Sequence, residues 1–558
     1  MRYLLETAIR IKGALLQARL DKAADNPAGA QQKLLLSILK KNAACEYGKA
    51  HNFSAIRDES GYRNNVPVVR YGDVEPYIRR MLKGQKDVLV CGHIVMFSMT
   101  SGTSASPKYV PMTDESYKKT MDLTFHWLYG AIKAHPKLLA GKNIGMANKG
   151  IEEISEGNIV CGCFSGMVRS GAASRFGGIH AVPEEVSMLG DYKTRYYMTA
   201  RFSFEQNVSF IVTPCPLTII NMVKTGMEYS GVIIESIRKG VLFPEGFFAG
   251  EKSDPAVIKK LSKYIKPNPK KADELESILK REGKLMPYHV WPGMRLIGCW
   301  LAGNVGYKSD ELDYYFGKGI AKRDLGYIAS EAACSIPYKD NYPGAVLAVE
   351  SNYYEFIPEE QADSGAYTVL NCGQLEINKN YKILLTNGSG LYRYDIGDII
   401  RVTGFYKKAP VITFQRKCND IIDISGEKNH VNHFIETFAE IKKTAGIEVR
   451  QFRAVGNAAK SRYDIYIDAD NKEEIRRMLP QLIENTLKAV NPEYLDERDS
   501  GRLDPPVFYF MKPGWEAEIM RGHINNGRRD TQYKWKSMAY EPDVKDSGFV
   551  EMTVAQSS

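Results

Sequence analysis

No apolar run in these 558 residues is long enough to cross a bilayer, which argues against a helical membrane span. Cysteine is sparse and unpatterned. The nine cysteines contain no C-x-x-C, and Cys161-Gly162-Cys163, the closest pair, has no second ligand pair, so neither a zinc ribbon nor a disulfide scaffold is expected. The nine histidines show no ligand spacing with Cys or Asp. There is no internal repeat and no low-complexity tract. A net charge of +9 is modest for this length and its lysines and arginines are dispersed, so no stripe for nucleic acid is present. No secretory leader is read either: Met1 to Lys22 carries Leu4, Leu5, Ile9, Leu15 and Leu16 at helical spacing but is interrupted by charge. These absences leave a soluble, cytoplasmic globular protein without stable membrane insertion. A hydrophobic content of 44% with 25% charged residues supplies ample core for such a chain.

What is present alternates. Helix-period segments are expected over Gln31–Asn42, from Tyr71 to Ile78, and over Thr113–Ala134, where Thr113-Asp114-Glu115-Ser116 is a start signal. Strand signals at 157–160, 209–212 and 295–300 alternate with helical segments near 216–224, 235–239 and 311–316. A lysine-rich helical stretch, 254–283, is broken by Lys266-Pro267-Asn268-Pro269 and reads as solvated surface. Further strands are predicted at 325–329, 346–349, 367–370, 381–386 and 411–414, a β-rich stretch. Composition shifts after Arg416-Lys417-Cys418-Asn419-Asp420. Beyond it the pattern is helix 431–445, strands 449–455 and 463–467, helix 472–490, strand 507–510 and helix 515–524. The fold class is therefore α/β: a large multi-layer domain, 1–417, with a β-rich subdomain, and a small α+β domain, 418–558.

Four separated stretches carry chemistry. Thr100-Ser101-Gly102-Thr103-Ser104-Ala105-Ser106-Pro107-Lys108 offers hydroxyls, a small-residue backbone and one ammonium, the composition of a phosphate-cradling loop. It has neither Walker spacing nor G-x-G-x-x-G, and in isolation it could equally be a Ser/Thr/Gly turn. Tyr327-Ile328-Ala329-Ser330-Glu331 places a ring, a hydroxyl and a carboxylate able to hold Mg²⁺ at one strand end. Tyr394-Asp395-Ile396-Gly397-Asp398 puts a carboxylate after glycine, suited to a pair of ribose hydroxyls. Arg416 precedes the domain boundary and Ser425-Gly426-Glu427-Lys428 follows it.

In this order and at these separations, the motifs resemble the adenylate-forming superfamily. Within it they are most similar to the Gretchen Hagen family of acyl-acid amido synthetases, whose lead-in Val66-Pro67-Val68-Val69 with Asp73-Val74-Glu75-Pro76-Tyr77-Ile78 also resembles. The resemblance implies that Thr100, Ser101, Gly102, Thr103, Ser104 and Lys108 hold the ATP phosphates. It implies that Tyr327 lies against adenine, Ser330 and Glu331 serve the α-phosphate and Mg²⁺, Asp398 binds ribose and Arg416 sits beside it. Gln532-Tyr533-Lys534 matches the family's late lysine, so Lys534 is implied as a catalytic residue on a mobile C-terminal domain. The implied reaction joins a small carboxylic acid to an amino acid through acyl-AMP, with pyrophosphate released. An acyl-CoA ligase with CoA as acceptor, or a non-catalytic nucleotide-binding protein, are the alternatives. Two departures stand out: Asp395, where the plant motif is apolar or basic, and Trp535-Lys536-Ser537 after Lys534. Phe125, Trp127, Leu128, Phe164 and Met167 are candidates to line the acyl pocket.

Overall fold

The computed structural model describes the chain apart from residues 1, 101–106, 147–149, 165, 168–177, 190, 245–253, 307–308, 363–365, 419, 426, 471, 500, 526–534, 541, 543–545 and 556–558, with backbone only at 2, 100, 192, 304, 305 and 523–525. It divides into two compact units. The larger takes Met1–Ile396 and Ile400–Phe414; the smaller takes Gly397–Ile399 and Gln415–Ser558. Among the described residues no helix is long and apolar enough to cross a membrane.

The larger unit is built on three sheets. One is wholly parallel, in the order Lys142–Gly145, Val208–Val212, Leu296–Gly298, Ala321–Arg323. Its central strands are buried on both faces, with Ser209 the one polar residue among them, because helices cover the sheet; Tyr192–Phe204 and Pro216–Glu228 share a core with Val208, Ile211 and Ile297. A second sheet orders Lys108–Thr113, Ile94–Thr100, Val160–Gly162 and Ile151–Ile154. The third has six strands, in the order Tyr353–Pro358, Asn380–Thr386, Tyr394–Tyr406, Ala409–Lys417, Ala345–Leu347, Ser335–Pro337, and forms the β-rich part.

The helix Asp114–Ala134 begins where the sequence signals it, with the Thr113 side chain accepting from Ser116 N–H. The lysine-rich stretch resolves into helices Pro255–Leu261 and Pro269–Glu282, the second capped by the Asn268 side chain after the proline break. Of the strand predicted over 157–160 only Val160 is in a strand, Val160–Gly162, the residues before it making a turn with Asn158 at φ +60°. Two other predicted strands are not strands at all. Over 325–329, the buried Asp324 carboxylate accepts N–H bonds from Leu301 (2.7 Å) and Gly326 (2.5 Å), and Gly326 adopts φ +85°, which turns the chain out of the parallel sheet. Over 367–370 a single antiparallel bridge forms, Leu370 to Phe356 of the edge strand Tyr353–Pro358, so the segment touches the sheet edge at one point without extending it. Conversely, Tyr353–Pro358 and Tyr394–Tyr406, neither expected, are strands, the second 13 residues long.

The smaller unit has a five-stranded sheet ordered Met538–Ala539, Gln451–Asn457, Arg462–Asp468, Val507–Met511, Val550–Ala555. Helices Val431–Ala445 and Glu473–Val490 pack Phe434, Phe438, Leu479 and Ile483 against Phe452, Ile465 and Phe508. Helices Val431–Ala445, Glu473–Val490 and Trp515–Asn525 and the three central strands fall within two residues of the segments expected from periodicity, while the helix Pro492–Asp499 was not expected.

Candidate active site

In the larger unit, strands Ile94–Thr100 and Lys108–Thr113 are antiparallel and Thr100 is the register partner of Lys108. The Ser/Thr/Gly stretch thus joins the ends of a hairpin. Ser101, Gly102, Thr103 and Ser104 themselves lie outside the described residues, as does the Thr100 side chain. The Lys108 ammonium sits 5.2 Å from the centroid of the Tyr71 ring, whose hydroxyl accepts the Tyr109 N–H at 2.9 Å. Burial raises the Tyr71 hydroxyl above its ordinary pKa, and the charge of Glu331 adds to the shift, so Glu331 is close enough to be felt at this ring. Lys108 thus stands over Tyr71, and the Glu331 charge reaches the same hydroxyl after those of Glu75 and Arg79. Tyr71 was not a sequence candidate, because its role rests on a contact made in three dimensions.

Glu331 occupies the tip of a second, short hairpin. Ala329 N–H bonds to Ala332 O at 2.9 Å, Cys334 N–H to Tyr327 O at 2.8 Å, and Ile328 bridges Ala333. Ser330 and Glu331 are half-buried at its turn. Tyr327 is buried at its base, its ring near-parallel to Phe414 with centroids 6.0 Å apart. The loop 387–391 ties the two hairpins together. Asn387 donates to Glu331 O at 3.0 Å, its own Oδ1 accepts from Ser389 N–H at 2.9 Å, and Ser389 Oγ accepts from Thr113 N–H at 3.0 Å. Asn387 and Ser389 were likewise absent from the sequence reading; the Asn-Gly-Ser-Gly run looks like any turn.

The smaller unit gathers the remaining candidates. Gly397 has φ +71°, a left-handed conformation that places Asp398 after it; the Gly397 carbonyl accepts Cys418 N–H at 2.9 Å. Asp398 is buried and ion-paired to Lys417. Arg416 is also buried; it donates to Lys417 O at 3.1 Å and lies beside Asp420, whose carboxylate is raised by burial and accepts Lys417 N–H at 3.2 Å. Lys417, quoted only as part of the boundary, is thus the direct partner of Asp398. Glu427 organises the Ser425 turn, accepting N–H bonds from Ile424 and Ser425 at 2.9 Å and the Tyr463 hydroxyl at 2.5 Å. Although burial opposes it, these donors hold Glu427 below the usual carboxylate range. Lys534 lies outside the described residues.

Of the five acyl-pocket candidates, Phe125, Trp127 and Leu128 pack into a core with Ile9, Ile132 and Leu296, and the Trp127 indole donates to Asp324 O at 2.8 Å. Phe164 meets Tyr117 edge-on at 5.6 Å.

One titration follows from this geometry. His430 stacks on His433, ring centroids 3.5 Å apart, and burial together with the Arg416 charge pulls its pKa down to about 4. Unfolded histidine titrates near 6.5. Above that pH both states are neutral and no stability is lost. As pH falls from about 6.5 towards 4, the unfolded chain takes a proton that the folded chain refuses, and stability declines. His430→Asn is expected to remove ~2 kcal/mol of that decline. Urea denaturation at pH 7.5 and 4.5 reads it; an unchanged pH slope would show that His430 is not the group responsible.

The named relatives of this α/β chain are amino-acid amido synthetases, which gives its class: a ligase. The chain belongs to the GH3 family. The GH3 family N-terminal domain matches residues 16–320, the central domain 345–417 and the C-terminal domain 429–542. Two relatives are the jasmonoyl–L-amino acid synthetase GH3.5 of Oryza sativa subsp. japonica, 22% identical over 94% of this chain and 95% of its own, and the indole-3-acetic acid-amido synthetase GH3.4 of Arabidopsis thaliana, 23% identical over 91% and 89%. The fold matches that of AtGH3.15 acyl acid amido synthetase in complex with 2,4-DB, with a TM-score of 0.83, 19% identity and 98% of each chain covered.

Proposed function

We propose that this enzyme activates a small carboxylic acid with MgATP and passes the acyl group to the amine of an amino acid. In the first step a carboxylate oxygen attacks the α-phosphorus, the bond to the β-phosphate oxygen breaks, and acyl-AMP and pyrophosphate form. In the second the amine attacks the acyl carbon, AMP leaves and the nitrogen sheds a proton. The observation that supports this best is that Lys108, at the end of a hairpin whose connecting stretch is rich in hydroxyl residues, stands over Tyr71, while the Glu331 turn is tied to the same hairpin through Asn387 and Ser389. An ammonium and a carboxylate able to hold a metal, carried on one connected framework, are what a polyphosphate with its Mg²⁺ needs, and positioning with charge neutralisation is most of what phosphoryl-type chemistry asks of a protein.

The individual assignments belong to the same proposal. Thr100, Ser101, Gly102, Thr103, Ser104 and Lys108 grip the phosphates, Ser330 and Glu331 attend the α-phosphate and Mg²⁺, and Tyr327 supports the adenine wall. Asp398 takes the ribose hydroxyls, with Arg416 beside it, and Lys534 neutralises charge between carboxylate and α-phosphate. The small domain, from about residue 418, reorients between the two half-reactions. The nine cysteines, all free, suit a reducing cytoplasm.

Pyrophosphate release with ATP and Mg²⁺, screened over aromatic and aliphatic carboxylic acids, tests the first step. Release that depends on one acid class is expected, followed by AMP formation stimulated at least tenfold by an amino acid and not by CoA. Nucleotide binding without acid-dependent pyrophosphate from any acid would overturn the assignment; stimulation by CoA alone would move it to a thiol acceptor.

A further inference from the structure

Trp535 makes three side-chain contacts in the smaller unit. Its indole N–H donates to Phe452 O at 2.6 Å, and its ring meets that of Trp515 at 4.7 Å and 87°. The Arg453 guanidinium lies 4.5 Å from its ring centroid. Arg453 also donates through Nε to Lys536 O at 3.0 Å, and it is ion-paired to Asp546, a fully buried carboxylate that takes the Trp515 indole N–H at 2.8 Å. Immediately beyond, Ala454 N–H bonds to Ser537 O at 2.8 Å, and Met538 and Ala539 run parallel to Ala454 and Val455 as the edge strand of the sheet. A half-buried tryptophan with its N–H satisfied, one face under a cation and its edge against a second indole has very little rotational freedom. Such a residue fixes the backbone on either side of it.

We infer that the Trp535–Arg453–Asp546–Trp515 cluster is a positioning anchor for the catalytic lysine: it fixes the backbone at Trp535, the covalent neighbour through which Lys534 is tethered to the smaller unit during adenylation. The inference rests on the role of Lys534 proposed above. Trp535 touches no substrate and acts through its covalent neighbour. The buried Arg453–Asp546 pair orients the indole and is the part of the cluster that cannot be altered without damaging the fold. The indole is the part that can. An ammonium displaced by about 1 Å from a developing charge costs on the order of a hundredfold in rate, while substrate binding made by other residues is untouched.

The test compares two half-reactions in the full-length enzyme. Trp535→Ala is expected to lower kcat for ATP–pyrophosphate exchange by roughly 10- to 100-fold with KM for ATP within about threefold of wild type. Amide formation from supplied acyl-AMP and an amino acid, which does not use Lys534, is expected at the wild-type rate. Trp535→Phe keeps the ring between Arg453 and Trp515 and loses only the N–H bond, so it should recover most of the exchange rate and guards against a variant that does not fold. In a Lys534→Ala background Trp535→Ala should add nothing. Equal losses in both half-reactions, or a further loss on top of Lys534→Ala, would make Trp535 merely structural and overturn the anchor. Exchange within twofold of wild type for Trp535→Ala would do the same. If Lys534→Ala alone exchanges at the wild-type rate, the lysine assignment falls first and the anchor with it; a slow Lys534→Ala beside a fast Trp535→Ala leaves the lysine standing and removes only the anchor.

Discussion

Replacing Lys534 by alanine is expected to slow ATP–pyrophosphate exchange by roughly ten- to thousandfold, the range seen when one preorganised donor to a developing charge is removed. As the carboxylate approaches the α-phosphate, two anionic groups converge, and in a site with reduced water the penalty for leaving that repulsion uncompensated is several times what it would be in solution. In the proposed site the phosphate loop and Mg²⁺ would neutralise the β- and γ-phosphates, and the incoming carboxylate would need a cation of its own. Loss of that cation removes an interaction made chiefly in the transition state, so kcat should fall while KM for ATP changes little. Lys534→Arg keeps the charge and changes its shape and reach, and should retain an intermediate rate. The second half-reaction, started from acyl-AMP, is expected to proceed normally. Exchange by Lys534→Ala at the wild-type rate would remove the residue from the mechanism, whatever its place in the motif.

How far the sequence revealed all this depended on whether the determining interaction was local. The helix Asp114–Ala134 was legible because its cap, Thr113 to Ser116, is three residues long. The strand Tyr353–Pro358 was not, because both faces are buried and its glutamate seems out of place in a core. Glu355 is in fact neutralised by Arg393 at 2.8 Å and Arg63 at 3.0 Å, neither of them near in sequence. Tyr394–Tyr406 was hidden for a related reason: Asp395, Gly397 and Asp398 break the alternation that marks a strand, and each is accommodated by its own partner or backbone conformation. The motif residues of the proposed site were read from the sequence by type and order alone. The residues that hold them, Tyr71, Asn387, Ser389 and Lys417, were not, since they are ordinary residues made significant by where the chain folds back.

Asp395 and Asp398 stand three residues apart in one strand, and their replacement should give opposite outcomes. Asp395, the departure from the plant pattern, is buried and accepts from Lys382 at 2.9 Å and Arg70 at 3.0 Å; Lys382 is itself only 6% exposed. Alanine at 395 therefore strands an ammonium in the core of the six-stranded sheet. Breaking a buried pair from one side typically costs about 3–5 kcal/mol, because the remaining charge has lost both water and partner. Asp395→Ala should accordingly lower the urea midpoint of the larger unit sharply, and Asp395→Ala with Lys382→Met should recover much of that loss, since no charge is then left behind. Below its unfolding transition the single variant should still bind AMP. Asp398 faces a different partner: Lys417 is 45% exposed and can return to water when the carboxylate is removed. Asp398→Ala should cost little stability and weaken AMP binding by roughly 10- to 100-fold, the worth of charge-assisted hydrogen bonds to two ribose hydroxyls. Calorimetric titration of AMP beside urea denaturation for both variants separates them. Unchanged AMP affinity in Asp398→Ala would end the ribose assignment, and an unchanged midpoint in Asp395→Ala would mean that Lys382 finds water or another acceptor.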